Sequence, residues 1–276
     1  GILLSVLFEA LRFFQQVPLT DFIFGLKWSP QTAIRVDQVG SSGAFGAIPV
    51  FTGTLMIAAI AMAVAVPVGL MAAIYLSEYA HRQVRTVVKP LLEILAGIPT
   101  VVYGFFAALV FAPLIRDTAH AVALTSASSE SALAAGLIMG IMIIPFVSSL
   151  SDDVINSVPQ SLRDASYGLG ATQAETIKQI ILPAAVPGIA GSLLLATSRA
   201  IGETAPLIMI GMVAFIVDIP TGITDSASVL PVQVFRWSDF PERAFEARTA
   251  AAILVLLVFL VQMIAEMTSL FEEILL

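Results

Sequence analysis

Two charged residues of opposite sign stand inside an apolar stretch of the sequence. The segment LLLATSRAIGETAPLIMIG covers residues 193–211, and it places Arg199 and Glu203 among leucine, alanine, isoleucine and methionine. A charge at the centre of a membrane-spanning helix costs about 2.5–3.5 kcal/mol on insertion scales, so such a residue normally faces a partner or a water-filled path. On one helix, the i, i+4 spacing would let these two side chains pair.

Two interpretations of these charges follow from their chemistry. In the first, Arg199 and Glu203 neutralise each other and have a structural role only. In the second, Arg199 binds an anion, because the planar guanidinium offers two donors that match two oxygens of a phosphate. Glu203 would then hold Arg199 in place, weaken anion binding enough for release, or repel other ions. Our hypothesis is the second, a substrate pathway that contains both residues.

Composition restricts the class of protein. Hydrophobic residues make up 58% of the 276 residues and charged residues only 12%, whereas soluble domains carry about 25% charged residues. This balance is typical of a polytopic membrane protein. The net charge of −7 argues against nucleic-acid binding, which needs a basic surface. Because the chain has no cysteine, it has no disulfide framework and no thiolate metal site.

Several apolar stretches are long enough to cross a bilayer, which takes about 20 residues. They are residues 50–76, 91–114, 184–217 and 248–270, with a shorter one at 131–150. Residues 1–14 are expected to be the outer end of a further helix that begins before Gly1. The connecting segments are 18–46, 78–90, 115–130, 151–183 and 218–247. The short 78–90 segment is basic, which favours the cytoplasmic side for it.

Residues 157–183 predict a helix, a turn and a second helix. Pro159 suits the first turn of a helix, and Gly168 and Gly170 should end that helix. Thr172 and Glu175 have the spacing of a capping box, in which each side chain satisfies the other's backbone amide. The second helix is expected to end at Pro183.

This segment resembles the EAA loop of permease subunits of ABC importers. That motif reads Glu-Ala-Ala, three residues, Gly, nine residues, Ile-x-Leu-Pro. The matching residues here are Asp164, Ala165, Ser166, Gly170, Ile180, Leu182 and Pro183. Asp replaces the Glu, and Ser replaces the second Ala. The resemblance implies that these residues couple the chain to a cytoplasmic ATPase and that residues 151–183 face the cytoplasm.

The whole chain is similar to the phosphate-specific importer permeases, PstC and PstA. Residues to about 203, with YLSEYA and LAGIPTVVYGFFAAL, look more like PstC, and the remainder, with GETAPL and VLPVQVFRWSDFPERAF, more like PstA. The resemblance implies an all-α polytopic fold, the transmembrane domain of a type-I (MetI-like) ABC importer, with about six helices and the first one truncated. Residues 1–46 would be the end of the first helix and an external loop, 47–270 the core permease domain, and 271–276 a tail.

The same resemblance implies partners and a location. These are a second permease subunit of the PstA or PstC type, two PstB-like ATPase subunits, a PstS-like phosphate-binding protein, and a bacterial inner membrane that the chain crosses several times. The chain should not be an enzyme, because none of its lysines follows a glycine as a P-loop requires. ATP and Mg²⁺ would be used by the ATPase, and this chain would bind no cofactor or metal.

Other functions remain open at the level of the sequence. The same fold could carry another oxyanion such as sulfate or molybdate. The chain could be a channel or secondary transporter that needs no ATPase, or a composite of two subunits that folds but transports nothing.

Two further interpretations concern individual side chains outside these motifs. Asp152 and Asp153 are expected to be a solvated pair at the membrane edge, and Trp28, Phe235 and Trp237 to be interfacial aromatic anchors.

Overall fold

The computed structural model of the protein describes residues 2–32, 42–111, 113–114, 131–210, 218–238, 249, 251–258, 260 and 263. The described residues fall into two compact units. The first unit lies within Gly1–Ile60, Pro99–Met139 and Ile201–Gln262, and the second within Ala61–Ile98, Gly140–Ala200 and Met263–Leu276. Two expectations, the connecting segment 115–130 and the tail 271–276, lie outside the described residues.

The described elements are mostly helices. In chain order they are α1 (Ile2–Phe14), α2 (Leu19–Phe24), β1 (Trp28–Thr32), β2 (Ser42–Phe45), α3 (Ile48–Ile74), α4 (Arg82–Ala96), α5 (Thr100–Phe106), α6 (Ala132–Ser157), α7 (Gln160–Gly168), α8 (Gln173–Thr176), α9 (Leu182–Gly202), α10 (Ala205–Met209) and α11 (Leu230–Ser238). Wider π-helical turns follow α3 at Tyr75–Tyr79, α5 at Ala107–Phe111 and α8 at Ile177–Ile181. Residues 251–258 are also helical.

Within the described residues, three helical segments are long and apolar enough to cross a membrane. They are Ile48–Tyr79, Ala132–Ser157 and Gln173–Gly202. The first two confirm the spans predicted at 50–76 and 131–150, and both helical segments are longer than predicted. The third begins well before the predicted start at residue 184, because α8, its π turn and α9 run on without interruption.

The stretch predicted as a span at 91–114 is not one straight helix, and the loop predicted at 78–90 is wrong for the residues from Arg82 onward. Arg82–Ala96 and Thr100–Phe111 together are long and apolar enough for a fourth span if this bent pair is counted as one. Helix α4 already begins at Arg82, and the chain breaks at Gly97–Pro99 with a bend of 86° before α5. Pro99 causes the break, since proline lacks an amide hydrogen and disfavours helical backbone in the residue before it. Helix α4 contains Pro90 but has no buried residue, and its charges and apolar groups lie on opposite faces.

Two further boundaries differ from the prediction. Pro183 does not end a helix, because the wide π turn just before it leaves room for the proline ring that would otherwise clash with an earlier carbonyl. The span predicted at 184–217 instead stops at Gly202, and its residues 211–217 lie outside the described part of the chain. Pro206 sits in the first turn of α10, a position where its missing N–H costs nothing.

In the first unit, the described parts of the segments 18–46 and 218–247 contain regular elements, namely α2, β1 and β2 in the former and α11 in the latter. Strands β1 and β2 pair antiparallel, with Trp28 opposite Phe45. The indole N–H groups of Trp28 and Trp237 both donate to Oε1 of Gln233, at 3.1 and 3.0 Å. Because both tryptophans are buried, their interpretation as interfacial anchors is wrong; a buried indole needs an acceptor, and Gln233 supplies it. Phe235 is exposed.

A turn at residues 221–225 closes the start of α6 in the same unit. The backbone carbonyls of Ile223 and Asp225 accept hydrogen bonds from Leu133 N and Ala132 N, two amides that the helix itself leaves without partners. The Asp225 carboxylate accepts from the hydroxyl and backbone N–H of Thr221 and from the N–H of Gly222. These hydrogen bonds hold the pKa of Asp225 below its ordinary value because they favour its charged form.

The core of the second unit joins the ends of three long helical segments. Ala73, Ile155, Val158, Ile177, Ile181, Ala185 and Ile189 form one buried apolar cluster. Small residues allow close approach: a Cβ added to Gly69 would meet Val147, and one added to Gly188 would meet Val154. This packing fixes the α7–α8 segment against the helices that follow and precede it.

Candidate functional site

The predicted helix–turn–helix is present in the second unit, and its turn depends on local chemistry. Helix α7 ends at Gly168, and Gly170 has φ +86°, a left-handed conformation that disfavours any residue with a Cβ. The capping box is confirmed: Thr172 N donates to Glu175 Oε2 at 2.8 Å, and Glu175 N donates to Thr172 Oγ1 at 3.4 Å. The sequence therefore specifies both the end of α7 and the start of α8.

The seven residues matched to the coupling motif do not share one environment. Asp164, Ala165, Gly170 and Pro183 are exposed, whereas Ile180 and Leu182 are half-buried. Ser166 is buried, and its hydroxyl hydrogen-bonds with Thr176 Oγ1 at 2.8 Å. Ser166 thus holds α7 to α8, and only the exposed residues are available to a partner protein.

Apolar side chains accompany the exposed motif residues on this loop. Leu169 is 90% exposed, and Leu162 and Tyr167 are each 43% exposed. Leu162 and Leu169 lie on one face at helical spacing, a pattern visible in the sequence. Tyr167 carries no such signal, and the sequence alone did not mark it.

An ion pair that could not be predicted from the sequence links this loop to the turn after α3. Arg163 on α7 pairs with Glu78, which lies in the π turn after α3. Arg163 Nη2 also donates to the Ile155 carbonyl at 2.9 Å, and Gln173 Nε2 donates to the Glu78 carbonyl at 2.6 Å. Partners separated by 85 residues leave no pattern in a single sequence.

The interpretation of Asp152 and Asp153 as a solvated pair is wrong for Asp152. Its side chain is only 2% exposed, and it forms ion pairs with Arg85 at 3.2 Å and Lys89 at 3.0 Å. Lys89 also pairs with the exposed Asp153 at 2.8 Å. A buried carboxylate needs such partners, and the basic residues of the supposed 78–90 loop provide them from α4.

Arg199 lies in the last turn of α9 and is half-buried. Its guanidinium carbon stands 5.1 Å from the centre of the Phe146 ring, a cation–π contact that sequence inspection missed. Glu203 directly follows the last residue of α9, in the break before α10. Neither Arg199 nor Glu203 is without a partner.

Within the described residues, no group of three or more His, Asp or Glu could hold a metal ion. The charged groups of the site are ion pairs at helix ends and the arginine of α9. An arginine guanidinium is chemically suited to contact two oxygens of an anion.

The long apolar helices are typical of an integral membrane protein. The chain belongs to the family described as binding-protein-dependent transport system inner membrane component, whose model matches residues 65–268. It is therefore an integral membrane protein of a family of transport subunits.

Curated relatives carry names from phosphate transport. The chain is 36% identical over 180 residues to phosphate transport system permease protein PstC of Haemophilus influenzae, covering 60% of this chain and 57% of that protein. It is 34% identical over 206 residues to PstA 1 of Mycobacterium tuberculosis H37Rv, covering 75% and 63%. A probable ABC transporter permease, YqgH of Bacillus subtilis, is 34% identical over 190 residues, covering 69% and 57%. The chain thus spans a little over half the length of YqgH and this PstC.

Solved structures confirm the expected fold class. An inward-facing structure of the MetNI methionine ABC transporter matches with a TM-score of 0.60 at 18% identity, covering 84% of this chain and 94% of that one. An amino acid ABC transporter matches with a TM-score of 0.56 at 18% identity, covering 80% and 89%. The fold is that of a MetI-like type-I ABC importer permease.

Proposed function

We propose that this chain is the membrane-spanning permease subunit of an ATP-driven phosphate importer. It would form part of the translocation path and couple that path to an ATPase in the cytoplasm. The names of the PstC and PstA relatives support phosphate as the substrate, and the family supports transport that depends on a binding protein.

One structural observation carries this proposal. Residues Gln173–Gly202 form one uninterrupted helical segment of 30 residues, with the capping box of the loop at its start and Arg199 near its end. At about 1.5 Å per residue, Thr176 and Arg199 are about 35 Å apart along this segment. A displacement of the loop by an ATPase would therefore move the arginine without passing through a flexible linker.

Arg199 would bind phosphate through its guanidinium, with the Phe146 ring fixing its position. Glu203 stands just beyond the helix, and its negative charge would weaken anion binding enough to permit release. In this account both residues belong to the substrate pathway, and neither is catalytic.

Assembly follows from the same account. Residues 151–183 would face the cytoplasm, where Asp164, Ala165 and Gly170 contact a PstB-like ATPase that uses ATP and Mg²⁺. A second permease subunit would complete the path. Because the ATPase would supply the energy, this chain itself would bind no cofactor or metal. A PstS-like binding protein would dock on the outer segments 18–46 and 218–247, in a bacterial inner membrane.

The test is phosphate uptake by the assembled complex. The chain is co-expressed with a PstC- or PstA-like partner permease, a PstB-like ATPase and a PstS-like protein, purified, and reconstituted in proteoliposomes. We expect radiolabelled phosphate uptake that requires ATP and is not reduced by excess sulfate. Equal competition by sulfate would indicate another oxyanion, and uptake without ATP a channel or secondary transporter. No uptake from a fully assembled complex would indicate a chain that does not transport.

A further inference from the structure

We infer that the Glu78–Arg163 pair is a positioning device, which passes movement of the α7–α8 loop to the end of α3. The inference rests on the proposed function, since it assumes that an ATPase moves this loop. It adds a second route beside the direct continuation of the loop into α9.

The side chains of the pair are mostly shielded from solvent, and they make several further hydrogen bonds. The side chains of Arg163 and Glu78 are 11% and 6% exposed. Ser77 Oγ donates to the Glu78 carboxylate at 3.1 Å, and Arg163 reaches the Ile155 carbonyl at the end of α6. One guanidinium on α7 therefore joins the loop to two other helical segments.

The second helix of the loop contacts the same residue. Gln173, the first residue of α8, donates to the backbone carbonyl of Glu78. Residues on both sides of the Gly170 bend thus contact Glu78, one at its side chain and one at its backbone. The bend cannot open or rotate relative to the π turn unless one of these contacts breaks.

The chemistry of the pair favours positioning over stabilisation. A buried ion pair often adds no more stability than well-packed apolar groups of similar volume, but it fixes where two elements meet. The side chain of Arg163 is only 11% exposed, whereas Leu162 and Leu169 are exposed and accessible to a partner protein. Movement of the loop by such a partner would reach the end of α3 through the ion pair with the Glu78 carboxylate.

The experiment measures the number of phosphate ions taken up per ATP hydrolysed in the reconstituted complex. Removing one charge alone could unfold the loop, so the main variant neutralises both residues: Glu78→Gln with Arg163→Met. We expect this variant to keep the ATPase bound while its coupling ratio falls at least five-fold. The exchanged pair, Glu78→Arg with Arg163→Glu, should recover at least half of the ratio. Arg82→Gln, at an exposed arginine on α4, is the matched control and should leave the ratio unchanged.

The possible results separate the inference from the proposed function. A wild-type coupling ratio in the neutral variant overturns the inference and leaves the proposed function intact. Loss of the ATPase from the purified neutral variant also overturns it, in favour of a role in folding. Absence of ATP-dependent uptake from the wild-type complex rejects the proposed function, and the inference with it.

Discussion

Four charged residues of the second unit illustrate two kinds of surroundings. Asp152, Glu78 and Arg163 form ion pairs where helices end, whereas Arg199 lies against an aromatic ring within the second unit. The first kind fixes helices to one another. The second places a permanent positive charge against an aromatic face, so the Phe146 ring should affect anion binding.

Replacement of Phe146 tests this dependence. A cation–π contact contributes about 1 kcal/mol, and more when it is desolvated, which corresponds to about a five-fold change in an equilibrium constant. Phe146→Leu should therefore weaken the apparent affinity of the reconstituted complex for phosphate about three- to ten-fold, measured from the concentration dependence of uptake. Phe146→Trp, which keeps an aromatic face, should retain it. Wild-type affinity in Phe146→Leu would show that the ring does not position the arginine.

Replacement of Asp152 tests the paired charges. Asp152→Asn leaves Arg85 and Lys89 without their buried partner. It should lower the free energy of unfolding by about 2 kcal/mol, less than for a fully buried pair, because both cations are about a third exposed. The matched control is Asp153→Asn, at a carboxylate that is 61% exposed, which should cost under about 0.5 kcal/mol. Thermal unfolding in detergent measures both, and equal effects would contradict the account.

At the scale of elements, the Gly170 turn joins α7 to the segment that carries Arg199. A Cβ added at Gly168 or at Gly170 would meet nothing within 4 Å, yet only Gly170 has a positive φ. Alanine at either position should therefore make no steric clash, and only alanine at Gly170 should introduce backbone strain. Strain at Gly170 should change the direction in which α7 leaves the turn.

We expect Gly170→Ala to cost about 1–2 kcal/mol and to reduce both the ATPase that co-purifies and phosphate uptake. Gly170→Asn should be milder, because asparagine tolerates the left-handed region better than alanine does. Gly168→Ala, in regular helix, should be neutral or slightly stabilising. Co-purification and uptake of the three variants provide the comparison. If Gly168→Ala and Gly170→Ala behave alike, the conformation of the turn is not what matters.

At the scale of the whole molecule, the sequence predicts features whose causes are local. Apolar length revealed the spans at 50–76 and 131–150, and the spacing of Thr172 and Glu175 revealed the capping box. The effects of two prolines are predicted wrongly because they depend on the surrounding helix. Pro183 is expected to end a helix but is tolerated after a π turn, whereas Pro99 is expected to lie within a span but interrupts it. The partners of Asp152, Trp28 and Arg163 could not be predicted, since each comes from a distant part of the chain.

The account depends most on an anion that is carried past Arg199 while an ATPase moves the helix on which this residue lies. The most direct measurement is ATP-driven phosphate uptake by the reconstituted complex that contains Arg199→Gln, with ATPase content and ATP hydrolysis measured in the same preparation. We predict that the ATPase remains bound and that uptake falls at least ten-fold below that of the wild-type complex. Wild-type uptake by the Arg199→Gln complex would contradict the account.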